Sequence, residues 1–234
     1  MSEKLYEGKA KVLYATDDPQ QVIQYFKDDA TAFNAQKRGT IVDKGVMNCA
    51  ISSKIFQELE KVGVPTHFIS QKSEREMLVK RLKIVPIEVV VRNVIAGSLA
   101  KRMGRPEGES LPNTIVELYY KDDALGDPMI NDDHVFTFKL ATPDDLTAIR
   151  RMAVQVNNYL KSFFDRLGIR LVDFKLEFGR DVTGQLVLGD EITPDGCRLW
   201  DKATNEKMDK DRFRRDLGGV EEAYQKVYQL VTGA

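Results

Sequence analysis

The chain is poor in the residues that build disulfide frameworks and many metal centres. Only two cysteines, Cys49 and Cys197, and two histidines, His67 and His134, occur in its 234 residues. The cysteines lie far apart and show no metal-ligand spacing, so we expect neither a disulfide framework nor a cysteine-based metal site. We expect both histidines to lie at surface or loop positions, which argues against catalysis by histidine.

The chain also lacks a charge excess and any long apolar run. Its 35 basic and 36 acidic residues give a formal net charge of -1, which offers no electrostatic argument for a nucleic acid or an acidic membrane as partner. No apolar run could span a bilayer, and the polar start, Met1 to Lys4, does not resemble a signal peptide. We therefore expect a cytoplasmic protein with no nucleic-acid or membrane partner.

Hydrophobic patterning predicts an α+β fold with largely antiparallel sheet, because strands and helices mix without regular alternation. We place a boundary near residue 80, which divides the chain into 1–80 and 81–234. Helices are expected at 44–62, 97–103, 143–167 and around 220–231. Strands are expected at 4–6, 12–15, 22–26, 66–69, 77–82, 84–94, 171–178 and 185–188, and a loop is expected at 104–112.

The segment 171–178 alternates apolar residues with Asp173, Lys175 and Glu177, which predicts a strand with one charged face. A turn and a returning strand would bring Asp190 back towards Glu177. Two carboxylates on paired strands suit Mg²⁺, which prefers oxygen ligands and shares itself with phosphates. The alternative is an ordinary solvated face of a strand.

Three further segments have the chemistry of anion sites. A turn containing Gly8, Lys9 and Lys11 could hold phosphates, although an exposed lysine-rich hairpin is the plainer interpretation. Arg92 ends an apolar strand shortly before Ser98 opens a helix, and this arrangement suits an anion or a structural ion pair. The turn at Asp195 and Gly196 would direct Arg198, with Trp200 as its anchor. Two more polar segments, 121–128 and 208–214, could equally be solvated faces.

Taken in order along the chain, these segments resemble the SAICAR synthetase family. The resemblance rests on the following runs: Leu5 to Lys11, Val91-Arg92-Asn93 with Ala96-Gly97-Ser98, Leu171 to Gly179, Gly189-Asp190-Glu191 with Pro194-Asp195-Gly196, and Arg198 to Asp201. It spans nearly the whole chain, and the length fits the compact bacterial form.

The resemblance implies an ATP-dependent carbon–nitrogen ligase of purine biosynthesis. Such an enzyme joins L-aspartate to the carboxylate of carboxyaminoimidazole ribotide (CAIR) through an acyl phosphate, and it releases ADP and phosphate. It implies a two-lobed α+β fold whose ATP-binding part is similar to protein kinases and ATP-grasp enzymes. Segment 1–80 would be a small β-rich lobe over the nucleotide, and 81–234 a larger lobe for substrates and metal. A cytoplasmic homodimer using ATP and Mg²⁺ is expected.

The resemblance also assigns roles to individual residues. The ATP-binding residues would be Gly8, Lys9, Lys11 and Lys121, and the metal ligands Glu177 and Asp190. The substrate-binding residues would be Arg92, Ser98, Arg198, Asp195, Asp211 and Arg214. The catalytic residues would be Lys11, Lys121, Asp127, Asp173 and Lys175. Asp173 is a candidate general base, and a substrate or phosphate oxygen is the alternative.

Two other classes of function fit the same residues. A phosphotransferase would transfer phosphate to a hydroxyl and stop there, whereas a ligase releases ADP only when both aspartate and CAIR are present. A nucleotide-binding regulator would bind ATP without turnover.

Overall fold

The computed structural model describes residues 3–32 and 36–234. Met1 and Ser2, on which the expectation about a signal peptide partly rests, lie outside these ranges. The strands are β1 (Lys4–Glu7), β2 (Lys11–Ala15), β3 (Gln21–Phe26), β4 (Asp29–Ala32), β5 (Lys37–Thr40), β6 (Phe68–Gln71), β7 (Glu76–Lys80), β8 (Lys83–Val94), β9 (Ser110–Tyr120), β10 (Met129–Ile130), β11 (Ile169–Arg180), β12 (Leu186–Gly189) and β13 (Cys197–Asp201). The helices are α1 (Lys44–Lys61), α2 (Gly97–Met103), α3 (Asp132–Thr137), α4 (Pro143–Arg166), α5 (Asp211–Arg214) and α6 (Val220–Thr232).

The N-terminal part of the chain forms a five-stranded antiparallel sheet, with the strand order β1-β2-β3-β7-β6. Its central strand β3 buries Val22, Gln24 and Phe26 and leaves the residues between them half-buried, as the two-residue period of a strand requires. Helix α1 packs against β3, β6 and β7. The sheet's apolar face is therefore covered by a helix, and the turn between β1 and β2 stays at its edge.

A six-stranded sheet holds the charged strand predicted from the sequence. Its order is β10-β9-β8-β11-β12. Strand β12 pairs with the C-terminal part of β11, and β13 pairs with the N-terminal part. Pairing in this sheet is antiparallel throughout. The register places Asp173 of β11 opposite Arg92 of β8 and opposite Arg198 of β13. Three segments that are distant in sequence thereby become one row across the sheet.

The long helix α4 supports the second sheet from behind. The Thr142 hydroxyl accepts a hydrogen bond from the Asp145 amide at 3.1 Å, and the Asp145 carboxylate accepts one from the Thr142 amide at 3.3 Å. This capping box and Pro143 in the first turn set the start of the helix. Gly168, with φ of 73°, follows its end. The buried stripe of α4 packs on β11 and β8.

One hydrophobic cluster includes residues of both sheets and of α1, α4 and α6. The division near residue 80 falls in the connection between β7 and β8, and it stays a prediction, since the two sheets share this core. The α+β class and the antiparallel pairing are confirmed. No helix in the described part of the chain has the length and apolar character needed to cross a membrane.

Two expectations from the sequence are wrong. The loop predicted at 104–112 ends early, because β9 begins at Ser110 and contains Pro112. The strand tolerates proline there because its register with β8 shifts between Arg92 and Val94. His67 is not at the surface: it is 3% exposed, and its ring packs edge-on against Phe56. His134 is exposed, as expected.

Candidate active site

Two neighbouring cavities contain nearly all of the residues singled out in the sequence. The larger, of about 560 Å³, is called here the large cleft, and the smaller, of about 340 Å³, the arginine pocket. Glu88, Asp127 and Lys175 line both cavities. The two spaces therefore share a wall, so that molecules bound in each would lie next to one another at these three side chains.

The lining of the large cleft divides chemically into an apolar set and a charged set. Leu13, Val22, Val79, Leu82 and Ile84 form much of the apolar set. The charged set consists of Lys9, Lys11, Glu88, Lys121, Asp123, Asp127, Lys175, Glu177, Asp190 and Glu191, together with Lys80 and Arg81. A flat apolar ring joined to a chain of anionic groups is a ligand that suits both sets.

Lys175 lies at the centre of the charged set. Its ammonium is 2.5 Å from Glu177, 3.2 Å from Glu88 and 3.2 Å from Asp190. Lys121 reaches the same oxygen of Glu177 at 3.0 Å. The predicted approach of Glu177 and Asp190 is confirmed, because β11 and β12 pair and Glu177 faces Gly189.

The turn between β1 and β2 adds two lysines to this cleft. The Gly8 amide donates to the Lys11 carbonyl at 2.9 Å, which closes the turn and uses that amide within it. Lys11 bonds Asp190, and its ammonium lies 3.6 Å from Glu191. Lys9, which is more exposed, pairs with Asp123 at 2.6 Å across the mouth of the cleft. The positive charge that the turn brings to the cleft therefore comes from the side chains of Lys9 and Lys11.

Burial and the neighbouring charged groups shift the pKa values of Glu177, Lys175 and Lys11. Burial raises the pKa of Glu177, but the ammonium groups of Lys175, Lys121 and Lys11 outweigh it and lower that pKa to about 2. The pKa of Lys175 is raised, since Glu177 and Glu88 outweigh the burial that lowers it. Burial lowers the pKa of Lys11. At neutral pH Glu177 and Lys175 are ionised and hold one another in place.

Backbone strain accompanies this arrangement at two points. Asp190 has φ of 62° and Asp127 has φ of 48°, both in the left-handed region that non-glycine residues seldom adopt. The Asp127 carboxylate accepts a hydrogen bond from the Asp122 amide at 2.9 Å, which fixes the loop after β9. Such strain concentrates at functional sites, where a side chain must be aimed in a particular direction.

The arginine pocket is built on the row across the second sheet. Asp173, 3% exposed, accepts hydrogen bonds from Arg92 at 2.8 Å and from Arg198 at 3.0 and 3.1 Å. Arg92 also donates to the Ser98 hydroxyl at 2.9 Å and to Glu117 at 2.6 Å. The interpretation of the strand as a solvated charged face is thereby excluded.

Asp211 and Asp195 relate to the arginine pocket in different ways. Asp211 lines neither cavity but accepts from Arg198 at 2.9 Å and from Arg214 at 2.7 Å. Asp195 lines the pocket, yet its carboxylate accepts from Lys44 at 2.7 Å on the side of α1. All other predicted site residues line the large cleft, the arginine pocket or both.

Sequence reasoning missed several members of the site. Glu88 lies between Lys175 and Lys121, while Glu117 and Tyr119 both bond Arg92. Glu88 carried a signal, because it is a single charge with apolar residues on both sides, between Ile87 and Val89. Nothing in the sequence indicated Glu117 and Tyr119, since their strand β9 was not predicted.

The carboxylates of the large cleft fit a shared magnesium site and not a closed one. In the described part of the chain, no group of three or more His, Cys, Asp or Glu side chains could hold a metal ion by itself. Glu177 and Asp190 supply two carboxylates, and Mg²⁺ commonly takes one or two from the protein and the rest from phosphates and water. This donor set therefore suits a metal that arrives with a nucleotide.

Comparison with known proteins gives consistent results. A family model described as SAICAR synthetase matches residues 4–231. The phosphoribosylaminoimidazole-succinocarboxamide synthase of Novosphingobium aromaticivorans is 59% identical over 227 residues, which are 96% of this chain and 87% of that protein. The crystal structure of the Ehrlichia chaffeensis enzyme of that name superposes with a TM-score of 0.97 at 47% identity and covers 99% of both chains. A SAICAR synthetase solved in complex with ADP gives 0.96 at 48% identity, over 99% of this chain and 98% of that one. The chain belongs to the SAICAR synthetase family.

Proposed function

We propose that this chain is an ATP-dependent carbon–nitrogen ligase of purine biosynthesis that condenses CAIR with L-aspartate to give SAICAR, ADP and phosphate. The observation that carries the proposal is the shared wall of the two cavities at Glu88, Asp127 and Lys175. Transfer of a phosphoryl group between two bound molecules requires this adjacency. Membership of the family and the ADP bound by a relative of similar structure support the assignment.

The substrates dictate two chemical steps. A carboxylate is a poor acylating agent, since its leaving group would be oxide. Attack by the CAIR carboxylate oxygen on the γ-phosphorus of ATP breaks the bond to ADP and forms an acyl phosphate. The aspartate amine then attacks the acyl carbon, the carbon–oxygen bond breaks, phosphate leaves and the amine loses a proton. No protein nucleophile is needed, so buried and inert cysteines are no obstacle.

The large cleft is the proposed ATP site. Gly8 closes the turn that delivers Lys9 and Lys11, and Lys121 lines the same cleft from the segment after β9. Their ammonium groups neutralise phosphate charge, which allows two anions to approach. In the structure these lysines pair with Asp123, Asp190 and Glu177, so on binding they exchange carboxylate partners for phosphate oxygens.

Glu177 and Asp190 are the proposed magnesium ligands. Both carboxylates line the large cleft and are paired there with lysines, and they would be released to a cation when phosphate oxygens take over those lysines. When bound, the metal would supply charge neutralisation at the transferring phosphate. Glu177 keeps its negative charge over the whole neutral range, because its pKa is about 2.

The arginine pocket is the proposed CAIR site. Arg92, Arg198 and Arg214 supply guanidinium groups, and Ser98 adds a hydroxyl. Asp173 and Asp211 orient the arginines by accepting their hydrogen bonds. Guanidinium groups held in this way present their remaining donors in fixed directions to phosphate or carboxylate oxygens. Asp195 contributes to the wall of the same pocket.

Lys175 and Asp127 face the reacting groups, because both line the two cavities at once. The Lys175 ammonium can stabilise charge on the transferred phosphoryl group, since its raised pKa keeps it protonated. Asp173 was the candidate base, and both its oxygens already accept from Arg198 or Arg92. The substrate or phosphate oxygens are therefore alternative acceptors for the amine proton.

A coupled assay of ADP release tests this function. CAIR and ATP are supplied with L-aspartate, with L-glutamate or with neither amino acid. Sustained ADP release is expected only with L-aspartate. Equal release without an amino acid would favour phosphotransfer, and ATP binding without any turnover would favour a regulator.

We also propose a homodimer located in the cytoplasm, as the resemblance to the family implies. Light scattering coupled to size-exclusion chromatography tests the first part, because a dimer has twice the chain mass of 26.6 kDa. A single species at the chain mass over the working concentration range would overturn it. Fractionation of cells tests the second part.

A further inference from the structure

A buried group of three side chains lies behind the arginine pocket. The Asp195 carboxylate accepts from the Lys44 ammonium at 2.7 Å through one oxygen and from the Tyr224 hydroxyl through the other. Lys44 and Tyr224 are both 0% exposed, and neither lines the large cleft or the arginine pocket. Both oxygens of Asp195 are thus engaged by side chains of α1 and α6.

The backbone around Asp195 forms the turn that leads to Arg198. The Gly196 and Cys197 amides donate to the Thr193 carbonyl at 3.0 and 2.9 Å, and the Asp195 amide donates to the Thr193 hydroxyl at 3.2 Å. The Gly196 carbonyl in turn accepts from the Lys175 amide at 3.0 Å. Gly196 and Arg198 line the arginine pocket. Asp195 therefore belongs to the turn that forms this wall, and its side chain joins the turn to Lys44 of α1 and Tyr224 of α6.

We propose that Tyr224 and Lys44 are positioning residues for the arginine pocket and act through the buried carboxylate of Asp195. The inference rests on the proposed function, which assigns this pocket to CAIR. A fully buried ion pair adds little to the free energy of unfolding, because the cost of removing its charges from water offsets much of their attraction. A satisfied buried network does fix one arrangement of the groups it joins. Here those groups are two helices distant in sequence and the turn that carries Arg198.

The test compares Tyr224→Phe with Tyr159→Phe. Each substitution removes one hydroxyl that donates to a carboxylate: Tyr224 bonds Asp195, whereas Tyr159 of α4 bonds Glu58 of α1 at 3.1 Å, away from both cavities. Steady-state kinetics give kcat and the KM for each of the three substrates, and thermal melting gives Tm. Reversible partial unfolding would raise the KM for ATP and the KM for CAIR together, so it cannot imitate a rise confined to CAIR.

Tyr224→Phe should raise the KM for CAIR by about three- to tenfold, the equivalent of one hydrogen bond, while the KM for ATP stays within about twofold. Tyr159→Phe should leave both constants unchanged. Equal KM values in Tyr224→Phe and the control, or a parallel rise for ATP and CAIR, would overturn the positioning role. Loss of CAIR-dependent ADP release in the wild-type chain would instead overturn the proposed function, so the two failures are distinct.

Discussion

Single residues in the large cleft work as paired charges. Glu177, 5% exposed, and Lys175 are ionised because each offsets the cost of burying the other. Replacing Glu177 therefore removes the nearest partner of the Lys175 ammonium and leaves it Glu88 and Asp190, each at 3.2 Å. The effect on activity should exceed what one hydrogen bond contributes, since the same charges are proposed to balance metal and phosphate.

Glu177→Gln should lower kcat/KM by about 100-fold or more while the protein stays folded, because a charge placed for the transition state is lost. The measurement is ADP release over a range of Mg²⁺ concentrations, with circular dichroism as a check on folding. Glu58→Gln is the matched control. Hydrogen bonds from Lys61 and Lys54 lower the pKa of Glu58 to about 2 as well, but at the surface of α1. Near-normal activity of Glu177→Gln at limiting Mg²⁺ would contradict the metal assignment.

Arg198→Lys should raise the KM for CAIR by about ten- to a hundredfold and affect ATP much less, because a charge-assisted guanidinium contact in a fixed direction is lost. Arg198 does not pair with either of the two aspartates nearest to it in its own loop, Asp195 and Asp201. It bonds Asp173 and Asp211, and its second terminal nitrogen donates to no described residue, which leaves that nitrogen for a ligand.

The control for that substitution is Arg170→Lys. Arg170 donates to the Gly108 carbonyl and the Ser110 hydroxyl, and its guanidinium lies 6.0 Å from the Trp200 ring, outside both cavities. Measuring Tm beside the three Michaelis constants separates the roles. A lower Tm in Arg198→Lys with no selective change for CAIR would show that Arg198 only braces the structure.

At the scale of elements, strong periodicity predicted most of the fold. The bounds of α2 agree with the prediction, those of α1, α4 and β8 agree within one residue, and the charged strand is the centre of β11. Strands β4, β5, β9, β10 and β13 and helices α3 and α5 were not predicted. The burial of β9 is mostly intermediate, so its residues show little alternation of apolar and polar type. Its place is decided by pairing with β8.

The start of α4 offers a prediction at this scale. Thr142→Ala removes the capping hydroxyl and should lower the free energy of unfolding by about 1 kcal/mol, without changing any Michaelis constant. Urea denaturation measures the loss. Thr147→Ala, in the exposed first turns of the same helix, is the control and should stay within about 0.5 kcal/mol of wild type. Equal losses in the two variants would show that the cap contributes no more than helix propensity.

At the scale of the whole molecule, the burial of His67 makes stability sensitive to mild acid. Burial and the Lys11 ammonium lower the pKa of His67 to about 3. In the unfolded chain that pKa returns to about 6.5. Between these values the unfolded state binds more protons, so this contribution to stability is complete above pH 6.5 and is lost as pH falls.

The free-energy difference between wild type and His67→Gln should therefore shrink as pH falls below 6.5, by up to about 1.4 kcal/mol per pH unit. Urea denaturation at pH 7.5, 6.0 and 5.0 measures this difference. His134→Gln, at an exposed position on α3, is the matched control. The same pH dependence of the difference for both variants would contradict the assignment to the buried ring.

The sequence by itself determined the elements with strong period and the chemical type of the site. Alternation in 171–178 predicted β11, and the lysine, arginine and carboxylate segments predicted a site for anions and a metal. Local pattern sufficed for these because the period of a strand or helix and the charge of a side chain are properties of neighbouring residues.

Only the tertiary structure decided which distant residues meet. Register between strands set Arg92 and Arg198 on either side of Asp173, and brought Glu88 against Lys175. Packing bonded the Asp195 carboxylate to Lys44 of α1 and buried His67. These outcomes depend on strand pairing and core packing between segments far apart in the chain, and no local period encodes either.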